Sequence, residues 1–312
     1  MTEEHDKNPG IQDEVIAKET LLVAESTGTR IDRFCFDNFV AFTSKNQARK
    51  ALKRGELLLN GEVVETSRLV KVGDEIRFLG ENLPQPKEPY RMDLNVPFED
   101  DHMAIVEKPS GIVVSGNRFR TLQNTLPGNL KDSLQQDKMP FPRPVHRLDA
   151  PTSGLVVVAK TRSAMALLGQ LFETRRIKKR YVAVLIGRLE GNGTVDLKIE
   201  GRDAVSHWRV LSHTRCLKSE WLSTVELSPI TGRTHQLRIH MAHIGHPILG
   251  DGLYGKEGLI LKHKGVFLRA KSLEFTHPIT EGLVSVDIGE PSKFESLRQR
   301  EERRWAKYHP SQ

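Results

Sequence analysis

The chain has 312 residues, with 47 Lys and Arg against 40 Asp and Glu, a net charge of +7. Its longest strictly apolar runs, such as Leu155–Ala159 and Val182–Ile186, are five residues long, far short of the roughly 20 needed to cross a bilayer. The first twenty residues are acidic with no apolar core, unlike a signal peptide, and the cysteines Cys35 and Cys216 stand far apart. A disulfide framework is disfavoured, and a reducing, cytoplasmic setting is expected. The basic balance favours a polyanionic partner.

Residues 1–20 read as a polar tail. From Gly28 onward Ile31, Phe34, Cys35, Phe39 and Phe42 recur at i, i+3, i+4, i+8 and i+11, one apolar helix face that Thr29 could cap. A second helix runs from Ser44, a candidate N-cap, to Gly55, a candidate stop. Its Ala48, Ala51 and Leu52 face inward, while Lys45, Arg49 and Lys53 line another side. Glu56–Leu59, Asn60-Gly61 and Glu62–Glu65 read as a hairpin with a two-residue turn, and Glu75–Leu79 as a closing strand. Residues 21–80 thus form a small domain. The Pro-rich stretch from 81 to 97 reads as a linker.

Residues 98–290 read as one larger domain. Candidate strands are Met103–Glu107, Gly111–Val114, Leu155–Lys160, Tyr181–Ile186, Val195–Ile199, Trp208–Leu211, Trp221–Leu227 and Val266–Ala270. Candidate helices are Arg162–Thr174 and Thr234–Ile244. Few strand pairs are separated by a helix, so an α+β fold with a mixed, largely antiparallel sheet is expected rather than a doubly wound parallel sheet. Residues 291–312 read as a charged, solvated helix and tail.

Three stretches carry chemical interest. Pro144-Val145-His146-Arg147-Leu148-Asp149-Ala150-Pro151-Thr152-Ser153-Gly154 places a carboxylate in a loop ahead of a core strand, where catalytic groups tend to sit; the ordinary alternative is an Asp that caps a turn. Lys178-Lys179-Arg180-Tyr181 puts an aromatic and several cations at a strand mouth. Thr231-Gly232-Arg233-Thr234-His235-Gln236-Leu237-Arg238-Ile239-His240 sets Arg233 ahead of a helix with Leu237 facing inward. A metal reading of His235, His240, His243 and His246 fails on spacing: on a helix His235 and His240 lie about 140° apart, and His246 falls beyond Gly245. Gly250-x4-Gly255-Lys256 has Glu257 where a phosphate-cradling loop needs Ser or Thr.

The order Arg30-Ile31-Asp32-x-Phe34, Ser44, Ala48-Arg49-x-x-Leu52, Gly55, Leu59-Asn60-Gly61 and Val72-Gly73-Asp74 resembles an S4-type RNA-binding domain. It implies docking on structured RNA through the helix bearing Lys45, Arg49 and Lys53. The three stretches above, together with Lys108-Pro109-Ser110-Gly111 and Gly250-Asp251-x-x-Tyr254-Gly255, resemble the RluA-type pseudouridine synthases. Val113-Val114-Ser115-Gly116 departs from that pattern, with Ser where many relatives carry His.

This resemblance implies an isomerase that breaks the N1 glycosidic bond of uridine, rotates the base and rejoins it through carbon 5, with no cofactor and no metal. By the same resemblance Asp149 is the essential aspartate, Arg233 the cationic partner of its carboxylate, and Tyr181 the residue that stacks on the base and helps remove the carbon 5 proton. Arg147 fills the stack vacated by the flipped base, and Leu237 packs under the uracil. His146, Lys160 and His235 fall to support. Whether Asp149 attacks the sugar or stabilises its cation stays open. The cations of Arg175–Arg180, beside Tyr181, are expected to meet phosphates, the ordinary alternative being a solvated loop. Large-subunit ribosomal RNA is the expected substrate, with transfer RNA next, and the protein is expected to be a monomer. A non-catalytic RNA-binding or assembly factor, or a nucleoside hydrolase releasing free uracil, are the competing readings.

Overall fold

The computed structural model describes residues 19–23, 28–39, 41–42, 44–80, 89–116, 118–259 and 265–309. The expected tail, except Glu19 and Thr20, and residues 81–88 of the expected linker lie outside them. The chain divides into two units, up to Lys87 and from Glu88 onward.

The first unit holds β1 (Glu19–Leu22), α1 (Ile31–Asn38), α2 (Lys45–Lys53), β2 (Leu57–Leu59), β3 (Glu62–Val63) and β4 (Glu75–Phe78), with sheet order β1-β4-β2-β3, all antiparallel. Helix α1 stops at Asn38, and its N-cap is Arg30 rather than Thr29, with no side-chain cap bond. Phe39 and Phe42 still reach the core, but from the connection that follows, where Phe42 packs edge-on against Phe78 at 5.0 Å. Helix α2 begins as expected: the Ser44 hydroxyl accepts from the Gln47 amide. Gly55, at φ +73°, closes it. Asn60 and Gly61 both have positive φ, 53° and 84°, which a two-residue turn of this twist requires.

The second unit contains β5 (Phe98–Glu99), β6 (Met103–Lys108), α3 (Leu122–Thr125), β7 (Lys138–Pro144), β8 (Ser153–Thr161), α4 (Arg162–Glu173), β9 (Lys178–Ile186), β10 (Asn192–Asp196), β11 (Val205–Cys216), β12 (Glu220–Pro229), α5 (Gln236–His243), β13 (Leu268–Thr276), β14 (Leu283–Asp287) and α6 (Ser292–Tyr308). These strands form one ten-stranded sheet, ordered β10-β11-β12-β9-β13-β8-β6-β5, with β14 beside β13 and β7 beside β8. Among the described strands only β8 and β13 pair in parallel. The α+β, largely antiparallel class is what the sequence led us to expect.

Strand β8 is buried along its whole length because both of its faces are covered. Side chains alternate across a strand. Leu155, Val157 and Ala159 therefore join Met103, Ile105 and the α4 residues Ala164 and Leu168, while Val156 and Val158 join Ala104, Val106 and the α3 residue Leu122. The other half of the sheet repeats the scheme. Ala183, Leu185, Val225 and Leu227 pack on Leu237 and Met241 of α5; Val182, Val184 and Leu222 pack on Phe294 and Leu297 of α6.

The sequence reading holds no candidate for β5, α3 or β14, and three further elements differ from it. Gly111–Val114 is a turn with a single bridge from Val113 to Thr121, not a strand. The segment β7, with Pro140, Pro142 and Pro144, reads against a strand, yet pairs at the β8 edge, where prolines are tolerated. The charged C-terminal helix α6 is docked rather than solvated all round, because Phe294, Leu297 and Glu301 form one buried stripe.

Candidate active site

The loop before β8 is held from both sides. On one side the Val145 amide donates to the Val157 carbonyl at 2.9 Å, and the Val157 amide donates to Nε2 of His146 at 3.0 Å. The His146 ring lies 4.4 Å from the Phe172 ring of α4. Burial, helped by the Lys179 charge, pushes its pKa down to about 3, so the ring is neutral and accepts from the backbone. On the other side stands Lys108, fully buried. Its Nζ donates to the carbonyls of Pro109, Ile112 and Ala150 at 2.8, 2.8 and 3.2 Å. The Gly111 amide donates to the Ala150 carbonyl at 2.7 Å, and the Ser110 hydroxyl to that of Pro151 at 2.7 Å. Burial brings the Lys108 ammonium down to about 8, opposed by the charge of Asp149. Gly154, at φ +118°, passes so close to β13 that a Cβ there would sit 2.2 Å from the Ala270 carbonyl oxygen. Asp149 is thus fixed by residues on β6, β8 and β13.

Its cationic partner is Arg238, not Arg233. Arg238 Nη1 lies 3.5 Å from Asp149 Oδ2. The same guanidinium donates through Nε and Nη2 to the two oxygens of Asp251, at 2.7 Å each, with both side chains buried. Burial works against the Arg238 charge, but Asp251 and Asp149 outweigh it and raise its pKa. Burial likewise works against the Asp251 carboxylate, and Arg238 with the Leu253 and Tyr254 amides brings its pKa below the usual range. Arg233 lines the same cavity, but its Nε donates to the Asp203 carbonyl at 3.0 Å. The physical reason is helix phase: Arg238 shares the buried face of α5 with Leu237 and Met241, whereas Arg233 precedes the helix.

A cavity of about 530 Å³ opens over these groups, lined by Arg147, Asp149, Tyr181, Arg233, Leu237 and Arg238 among others. Leu237 is 6% exposed. Tyr181 bridges the cores under α3 and α5, and burial, then the Asp149 charge, push its phenol well above the ordinary value. Arg147 stands exposed at the mouth. Gln236 fastens the wall: its Oε1 accepts from the Thr231 hydroxyl and the Arg233 amide, and its Nε2 donates to Val205 and Ser206 on β11. Arg175 and Lys179 are on the rim. Lys160 is remote from this loop, bound at the far end of β8 to Glu99 at 2.8 Å and to the Asp100 carbonyl. The histidines near α5 go separate ways: His235 to Tyr254, His240 to the Leu197 carbonyl, His246 to that of Ile186.

In the first unit Lys45 and Lys53 stand exposed on α2. Arg49 instead reaches back to α1, where its Nε lies 2.6 Å from the buried Asp32.

Sequence reasoning passed over Arg238, Asp251 and Gln236. The available signal was a cation on the apolar face of a helix, since a buried charge needs a partner.

Comparison with known proteins assigns the chain to a family. The family model for RNA pseudouridylate synthase matches residues 102–243, and that for the S4 domain residues 29–76. The ribosomal large subunit pseudouridine synthase D of Xanthomonas campestris is 31% identical over 90% of this chain and 91% of its own length. An uncharacterized RNA pseudouridine synthase of Bacillus subtilis, YhcT, is 34% identical over 81% and 88%. Among solved structures, human RNA pseudouridylate synthase domain containing 1 aligns with a TM-score of 0.54 at 28% identity, covering 64% of this chain and 84% of its own. The chain belongs to the RNA pseudouridine synthase family, with an S4 domain ahead of the catalytic domain, and is by that membership an isomerase of uridine in RNA.

Proposed function

We propose that this enzyme isomerises uridines of large-subunit ribosomal RNA in the cytoplasm, with Asp149 as the reacting carboxylate. One observation carries the chemical part: a carboxylate lining an open cavity, paired to a buried Arg238 that Asp251 holds in turn. The Arg238 guanidinium meets this carboxylate with opposite charge at 3.5 Å, and either attack on the sugar or stabilisation of its cation uses a carboxylate anion. The ribosomal part rests on the S4 match and on relatives such as the X. campestris protein, which are named for the large subunit.

The flipped base, whose extrusion costs about a few kcal/mol, would lie between the Tyr181 ring and Leu237, with Arg147 filling the stack it leaves. The N1–C1′ bond breaks, the uracil turns, carbon 5 bonds to C1′, carbon 5 loses its proton and N1 gains one. Tyr181 keeps its proton while Asp149 is charged, so it enters as a stacking surface. Arg233 lines the entrance and reaches substrate rather than Asp149. Arg175 and Lys179 on the rim, and Lys45 and Lys53 on α2, would meet phosphates, with Arg49 offering only the edge that Asp32 leaves open.

The test is tritium release from RNA labelled at carbon 5, supplied as ribosomal and transfer RNA from cells lacking the gene. Wild type should release tritium from large-subunit RNA, and Asp149→Ala and Asp149→Asn should release none while binding RNA nearly as well. Turnover by purified Asp149→Ala would overturn the mechanism, release from transfer RNA alone would reassign the substrate, and free uracil would point to hydrolysis.

A further inference from the structure

His235 sits directly before α5 with φ 56° and ψ 16°, the left-handed region, and makes no side-chain cap bond to the helix. That conformation is uncommon for a residue with a Cβ, and such outliers cluster where a side chain must be aimed. Here it aims the imidazole between two groups. Nδ1 lies 3.0 Å from the Tyr254 hydroxyl, and Nε2 lies 3.8 Å from Asp149 Oδ1. A bare nitrogen lone pair facing a carboxylate is repulsive. The favourable arrangement has the Tyr254 hydroxyl donating to Nδ1, which leaves the ring proton on Nε2, toward Asp149.

Tyr254 is itself placed by the residue that holds Arg238. Asp251 Oδ1 accepts from the Leu253 and Tyr254 amides at 2.9 and 3.2 Å while binding Arg238. The Arg238 guanidinium also lies over the Tyr254 ring, 5.1 Å from its centre. The turn starts at Gly250, φ +80°, where a Cβ would fall 2.1 Å from the Gly265 carbonyl oxygen. One tight turn therefore fixes both side chains that address Asp149: Arg238 toward Oδ2, His235 toward Oδ1.

We propose that His235 is a positioning residue, which closes from 3.8 Å onto Asp149 Oδ1 through its Nε2–H when RNA binds and fixes the carboxylate's attack angle, with Tyr254 setting its tautomer. The idea rests on the reading of Asp149 given above. The competing account is that position 235 needs only a residue that tolerates left-handed backbone.

The two separate on a pair of substitutions. Asn tolerates that backbone best but is too short to reach Asp149; Gln tolerates it less well but places an amide N–H where Nε2–H was. In single-turnover tritium release, His235→Asn and His235→Ala should lose up to about 100-fold in rate at unchanged RNA affinity, and His235→Gln should recover most of it. A rate for Asn equal to or above that for Gln, or a loss carried wholly by RNA affinity, would overturn the proposal. A second reading needs no turnover: nitrogen NMR of ¹⁵N-histidine-labelled full-length protein, with the signal identified by its loss in His235→Gln. It should show the Nε2–H tautomer in wild type and a mixture in Tyr254→Phe. The Nδ1–H tautomer in wild type, or no response to Tyr254→Phe, would overturn the proposed role even if wild type proves inactive on uridine.

Discussion

Each unit holds an aspartate sunk into its structure and tied to arginine, and the two pairs do different work. In the first unit Asp32, 3% exposed, meets Arg30 at 3.4 Å and Arg49 at 2.6 Å, but these side chains are 48% and 46% exposed. In the second, Asp251 and Arg238 are 0% and 3% exposed, and the arginine is passed on to Asp149. Solvent screens the first pair and can rehydrate whichever guanidinium is released. The second pair has no such refuge. The same residue types thus make a fastening between α1 and α2 in one place and a buried anchor behind the proposed reacting carboxylate in the other.

Breaking both pairs alike should expose the difference. Asp251→Asn takes the nearer counter-charge from a buried guanidinium and leaves it only Asp149 at 3.5 Å; the cost should approach the about 3–5 kcal/mol typical of a broken buried pair, and turnover should fall with it because Arg238 and Tyr254 lose their anchor together. Asp32→Asn should cost under about 1 kcal/mol. The three tryptophans, Trp208, Trp221 and Trp305, all lie in the second unit, so urea unfolding followed by their fluorescence reports Asp251→Asn, and far-ultraviolet circular dichroism reports Asp32→Asn. Equal losses would mean that burial does not separate the two sites.

A second contrast concerns protons. Val157 donates to His146, so this ring must stay neutral in the fold, with a pKa near 3 against 6.5 for a free imidazole. Between those values the unfolded chain binds a proton that the folded chain refuses, so stability falls as pH drops below 6.5. From pH 7 to pH 5 the loss from this one residue is roughly 2 kcal/mol. His146→Gln keeps an acceptor for the Val157 amide and carries no titration. Its stability relative to wild type should therefore rise by that amount as pH falls from 7 to 5, measured as paired urea midpoints. A constant difference across that range would place the ring in water.

What the sequence discloses follows the reach of each interaction. The Ser44 cap, the Asn60-Gly61 turn and the unbroken apolar run of β8 are local, and each stands where the pattern puts it. The loop bearing Asp149 is likewise legible, as are Tyr181 and Leu237 beside it. The supports of that loop are not, because they cross the fold: Lys108 reaches 42 residues to Ala150, and Arg238 reaches 13 to Asp251. Arg233 and Arg238 lie in one motif, but only Arg238 falls on α5, where its phase turns it inward. α6 misleads for the opposite reason, since three inward residues among many charges weigh little in composition yet dock the helix.

The smallest effect tests the cationic face of α2. Lys45 and Lys53 are exposed, whereas Arg49 leans on Asp32. If the two lysines each neutralise one phosphate, Lys45→Ala with Lys53→Ala should reduce the slope of log affinity against log salt by about 1.4–1.8. Such exposed substitutions should leave stability within about 0.5 kcal/mol. Arg49→Ala should show the reverse balance, removing the nearer of two partners from Asp32 while shifting the salt slope by less than about one phosphate's worth. If instead Arg49→Ala moved the slope as much as either lysine and left stability untouched, the Asp32 pair would yield to RNA on binding, and the first unit would meet phosphates with all three cations of that face.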